Sequence, residues 1–133
     1  MDTLTAQVDV EFIQQQYGTA SIGYLIFLPV EGASYSILHY LEDGGNYLNE
    51  FSCLYLYDSY AGEKIYNSPT VYAHEILHLF GAADLYVGSR DTFVTQPLAQ
   101  YVLNTWPDAI MYYTYNSDNG ISYDHIEKNC SAR

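Results

Sequence analysis

Residues 74–84 read His-Glu-Ile-Leu-His-Leu-Phe-Gly-Ala-Ala-Asp. His74 and His78 stand four positions apart. On a helix that is roughly one turn, so both imidazoles leave the same face toward one point. Two neutral imidazoles and one carboxylate suit a divalent ion such as zinc and leave a position for water. Asp84 is placed to supply the carboxylate. Glu75 follows the first histidine and can reach a water on that ion as a general base. Two other assignments stay open. Asp84 can bond turn amides ahead of Leu85 instead, and His125 competes as the third ligand.

The elements around these residues must deliver them to one place. Ser68 can cap a helix start, and Pro69 suits the first helical position because it has no amide hydrogen to leave unpaired. Residues 70–80 contain no glycine or proline. At about 100° per residue, Thr70, Val71, His74, Glu75, His78 and Gly81 fall on one arc, and Tyr72, Ala73, Ile76, Leu77, Leu79 and Phe80 on the other. The spacing predicts a helix that buries the second arc and presents the first to a cleft. Gly81 can turn the chain at the helix end and bring Asp84 back toward the histidines.

His74, Glu75, His78, Gly81 and Asp84 resemble the extended zinc motif HExxHxxGxxD of the metzincin clan of metalloproteases, nearest to its snapalysin-like branch. Most metzincins carry a third histidine where this chain has Asp84; that branch carries an aspartate. The clan also places a tight methionine turn beneath the metal, and Asp108-Ala109-Ile110-Met111-Tyr112-Tyr113 looks like that turn. The resemblance covers residues 68–113. It implies zinc as cofactor, Met111 as a packing floor, and Tyr113 as a hydrogen-bond donor to the oxyanion; Tyr113 reads equally well as a groove or core residue. The tyrosine run after the turn and the short chain ahead of the helix depart from the clan's pattern.

Composition bounds the rest. The chain has 133 residues, enough for one domain (residues 1–133) with a single modest core. Apolar residues make up 49% of it, which argues against wholesale disorder. The net charge of −12 argues against nucleic acid and anionic membranes as partners, because both need a cationic face. The longest apolar stretch, residues 22–30, is too short to span a bilayer. No signal peptide is visible, although the resemblance favours a secreted bacterial protein. Cys53 and Cys130 lack zinc-finger spacing; they can pair or stay free.

Residues 8–17 are ambiguous between strand and helix. Strands are expected over residues 23–30, 34–41 and 51–57, and a loop over residues 42–46. Residues 58–67 read as a lead into the zinc helix. Beyond it come a loop over residues 85–91, a helix over residues 96–104 ended by Trp106-Pro107, the methionine turn, a polar loop over residues 116–120 and a short final helix over residues 123–130. This is an α+β plan. The resemblance makes it a metzincin-like zincin, with a small twisted sheet on the zinc helix and a helical and loop C-terminal subdomain.

The expected function is zinc-dependent endopeptidase, with Glu75 as general base and a peptide or protein substrate taken up by a monomer. A zinc-dependent aminopeptidase and a non-catalytic, metal-stabilised binding module are the alternatives. An edge strand over residues 34–41 is expected to pair with the substrate backbone.

Overall fold

The computed structural model describes residues 6–38, 50–60, 63–89, 91 and 93–114. The expected final helix, the loops at residues 42–46 and 116–120, His125 and Cys130 lie outside them. Three helices and four strands occur among the described residues: α1 (Val10–Tyr17), β1 (Gly23–Glu31), β2 (Tyr35–Ile37), β3 (Glu50–Tyr60), β4 (Glu63–Tyr66), α2 (Pro69–Leu79) and α3 (Gln96–Thr105). The architecture is α+β with a small mixed sheet.

β3 is the spine of the sheet. β1 runs parallel to it on one side, from Gly23 opposite Glu50 to Glu31 opposite Tyr57. The register slips between Leu28 and Glu31. Pro29 falls in that slip, on an edge strand, where a missing amide hydrogen costs no ladder bond. On the other side β3 carries two short antiparallel strands. β2 pairs through Tyr35 with Cys53 and Ser36 with Ser52, and β4 pairs farther along through Tyr57 with Tyr66. β2 therefore has β3 on one side only, as its sole partner among the described strands. Residues 63–66, expected as part of a lead-in, form β4 because β3 continues past Tyr57 and offers them an antiparallel partner.

α2 lies against β3 and β2. Its start is built as expected: Ser68 is the N-cap, its hydroxyl accepts from the Thr70 amide at 3.3 Å, and Pro69 opens the first turn. Side chains then tie this end to the sheet. Asn67 Nδ2 donates to the Tyr55 carbonyl at 2.9 Å, and the Tyr72 hydroxyl donates to the same oxygen at 3.2 Å. The ambiguous segment at residues 8–17 resolves as α1, capped by Asp9, which accepts from the Phe12 amide at 2.9 Å.

The two arcs of α2 are not divided as the spacing predicts. Val71, His74, Glu75 and Leu77 are its buried residues, while Phe80 is 73% exposed. The histidine arc is the better covered because β2 and the turn at residues 109–113 close over it. Beneath the helix, Leu77, Ala82, Ile110 and Met111 form one apolar cluster, with Ala73 and Leu85 packed against it.

The end of α2 decides where the chain goes next. The Ala82 amide donates back to the Leu77 carbonyl at 3.0 Å and the Gly81 amide to the His78 carbonyl at 2.7 Å. Gly81 sits at φ 85°, a left-handed conformation. This is a Schellman turn, complete with the apolar contact between the residues that bracket it, Leu77 and Ala82. A left-handed φ costs an ordinary L-residue roughly 1–2 kcal/mol. Gly81→Ala is expected to lower the unfolding free energy by about that amount, with Gly81→Asn less damaging because asparagine tolerates the region better. Urea unfolding of the three proteins checks this; equal midpoints would mean the turn carries no such constraint.

Candidate metal centre

The Schellman turn and the turn at residues 109–113 act together on two imidazoles. His74 Nδ1 lies 2.9 Å from the Ile110 carbonyl oxygen, and His78 Nδ1 lies 2.8 Å from that of Ala82. A carbonyl oxygen can only accept, so each Nδ1 carries the hydrogen. In the neutral rings each Nε2 then presents a lone pair. The two Nε2 atoms stand 3.2 Å apart. Asp84 Oδ1 is 3.1 Å from Nε2 of His74 and 3.5 Å from Nε2 of His78. Three electron-pair donors thus face one another at close range.

Such a cluster repels itself unless a positive charge sits among the three atoms. A proton on one ring meets that need in one way. Burial opposes a charged His78, but the Asp84 carboxylate and the Ala82 carbonyl, with a smaller contribution from Glu75, together raise its pKa above the ordinary 6.5. Burial likewise opposes a charged Asp84, yet the two imidazoles hold its carboxyl well below the usual carboxylate range. A metal ion meets the need with all three atoms at once. Asp84 Oδ1 is buried and has no hydrogen-bond partner while both rings are neutral, as a ligand atom would be. His74, His78 and Asp84 are the one group among the described residues able to hold a metal ion. The carbonyls of Ile110 and Ala82 serve as the outer acceptors that fix ring orientation in metal sites.

Met111 is wholly buried under the helix. Its turn is closed by amides of Tyr112 and Tyr113, which donate to the Ala109 carbonyl at 2.8 and 3.0 Å. The Met111 carbonyl in turn accepts from the Leu85 amide at 2.8 Å, joining this turn to the loop that carries Asp84. The Asp84 amide donates to Asp91 Oδ2 at 3.0 Å, which steadies the same loop.

Glu75 is 8% exposed. Its carboxylate is near enough to His78 and Tyr86 to contribute to the rise in both their pKa values. Two clefts meet at His74, Glu75 and Tyr86. The larger, about 890 Å3, runs along Ser34–Leu38 of the β2 segment and past His78 and Asp84. The smaller, about 350 Å3, runs toward Asp58, Asn67 and Tyr112. Tyr113 lines the smaller cleft and is 55% exposed.

Tyr86 does not stand out in the sequence. It borders both clefts, and its phenol is pushed up to about 12 by burial and by the Asp84 carboxylate, with smaller contributions from Glu75 and Asp91. Like any tyrosine it is protonated at neutral pH, and it stands beside the His74, His78 and Asp84 cluster. The only signal in the sequence is its place two residues beyond Asp84, on the same loop.

Comparison of the chain with protein-family models, curated proteins and solved structures found no match.

The pH response of the metal-free protein follows from these charges. The raised His78 contributes stability that is full below 6.5 and is lost as pH rises through its higher folded value. The depressed Asp84 contributes stability that is present above 3.8 and is lost as pH falls through its lower folded value. Thermal melts in chelator are expected to show the pair's benefit between those limits and its decline toward alkaline pH. Asp84→Asn is expected to remove that decline. Metal affinity should run the opposite way, rising with pH as the ion displaces the proton; calorimetric titration at several pH values reads the sign.

Proposed function

We propose that this chain is a zinc-dependent endopeptidase of metzincin type. The observation that carries the reading is the triangle of His74 Nε2, His78 Nε2 and Asp84 Oδ1, with sides of 3.2, 3.1 and 3.5 Å. Zinc bonds of about 2.0–2.1 Å in tetrahedral array set neighbouring ligand atoms about 3.3–3.4 Å apart. Two imidazoles and one carboxylate are also a donor set that catalytic zinc accepts, with a fourth position for water. The buried methionine turn under the helix agrees with the clan resemblance, as does the antiparallel edge strand beside the cleft.

Zinc held there supplies a Lewis acid and acidifies a water molecule. The protein's own residues supply the rest. With the ion held by His74, His78 and Asp84, Glu75 would accept a proton from the attacking water and return it to the leaving amine. Tyr86 and Tyr113 compete for the role of donor to the developing oxyanion. Tyr86 has the stronger case, since it borders both clefts while Tyr113 lines the smaller one alone. β2, with β3 on one side only, offers main-chain groups to an extended substrate. Cleft space continues on both sides of His74 and Glu75, so substrate can extend in both directions from the scissile bond. That favours cleavage within a chain over removal of a terminal residue.

Glu75→Gln is expected to bind one zinc ion per chain and to lose peptide hydrolysis by about 10²–10⁴-fold. Asp84→Ala should lose the metal itself, as read by mass spectrometry of the dialysed protein. Full turnover by Glu75→Gln, or unchanged zinc content in Asp84→Ala, would contradict the assignment. Between the tyrosines, Tyr86→Phe should lower kcat by roughly 10²-fold or more if it binds the oxyanion, and Tyr113→Phe should then have little effect. The reverse pattern would give the role to Tyr113.

A further inference from the structure

Ser36 on β2 and Ser52 on β3 are directly opposed in the sheet register and point to the face that α2 covers. Their hydroxyl oxygens are 2.7 Å apart, and Ser52 is fully buried. A sheet face under a helix is ordinarily apolar, and a buried hydroxyl is costly unless hydrogen-bonded. Both serines spend their bonds on one residue of the helix. Ser36 Oγ lies 2.7 Å from the Glu75 carbonyl oxygen and 2.9 Å from Glu75 Oε2. Ser52 Oγ lies 3.2 Å from the same carbonyl.

One hydroxyl thus touches both ends of Glu75, its main chain and its carboxylate. A hydrogen bond to one carboxylate oxygen restricts the rotamers open to the Glu75 side chain. Ser36 has one hydrogen for two Glu75 oxygens. The carboxylate is the stronger acceptor because a bond to an ionised oxygen is charge-assisted. Ser52 also has one hydrogen: donated to Ser36, it extends a chain of donors from the sheet interior to the carboxylate, and donated to the Glu75 carbonyl, it ties α2 to β3.

We propose that Ser36, backed by Ser52, is the positioning residue for the Glu75 general base. Resting on the peptidase reading above, this divides the work between the two carboxylate oxygens. Oε2 is held by Ser36, and Oε1 takes the proton from water. Without the Ser36 hydroxyl the carboxylate turns among several rotamers, and productive proton transfer becomes rarer while substrate uptake is unchanged. A purely architectural serine, tying β2 to α2 through the main-chain carbonyl alone, would instead affect stability and cleft shape together.

The experiment compares wild type, Ser36→Ala, Ser36→Thr and Glu75→Gln, with the double variant Ser36→Ala/Glu75→Gln, all loaded with zinc and assayed on a quenched-fluorescence peptide. Ser36→Ala is expected to lower kcat about tenfold with KM, zinc content and melting temperature little changed. Ser36→Thr, which keeps the hydroxyl, should recover most of kcat. In the Glu75→Gln background the loss of Ser36 should have no further effect, because Ser36 acts through Glu75. Wild-type kcat in Ser36→Ala overturns the proposal, as does a joint loss of kcat, KM and stability that threonine does not repair. If zinc-loaded wild type cleaves no peptide, the peptidase reading fails and takes this one with it; if wild type is active and Ser36→Ala equals it, this one alone fails.

Discussion

Two imidazole lone pairs and a carboxylate oxygen, turned toward a common point, are the arrangement around which this protein is organised. Left uncompensated, such a convergence is unfavourable, since three electron-rich atoms in a partly desolvated site repel one another. The fold must therefore hold it in place from outside. It does so at each ligand separately: the Ile110 carbonyl turns one ring, the Ala82 carbonyl turns the other, and the loop after Gly81 carries the aspartate. None of the three positions is set by the helix alone.

The supports belong to distant parts of the chain and are coupled by the apolar cluster beneath α2. Leu77 belongs to the helix, Ala82 to the Schellman turn, and Ile110 and Met111 to the later turn. Packing these together places the two carbonyls at the heights the rings require. The main-chain bond between Leu85 and Met111 then binds the aspartate loop to the methionine turn. Burial and coordination geometry are here two aspects of one packing arrangement. That accounts for the histidine arc of α2 being more covered than its apolar-looking arc.

Much of this was legible in the sequence because it depends on local rules. The helix, its Ser68-Pro69 start and its glycine end follow from capping chemistry and from helical spacing that carries His74 and His78 to one face. The grouping of Asp84 with the histidines was legible only as a reach from Gly81. The methionine turn came from its likeness to a known pattern. Non-local features were less accessible. β4 exists because β3 runs on beyond Tyr57, and residues 63–66 carry no strong strand signal of their own. Residues 8–17 fit two periods at once, and the Asp9 cap and Gly18 decide for helix. Tyr86 and the Ser36–Ser52 pair were invisible, since single tyrosines and serines gain meaning only from what the fold sets beside them.

The acceptors that orient both rings are main-chain oxygens, at residues 82 and 110. A backbone oxygen survives any replacement of the side chain on its residue. The layer that orients the two rings is thus written in the path of the chain, and positions 82 and 110 need only a side chain that suits the buried apolar cluster and, at 82, an amide hydrogen for the turn. A homologue could drift at both places and keep its imidazoles aimed, whereas one inserted residue in either turn would misdirect a ring with every ligand still present.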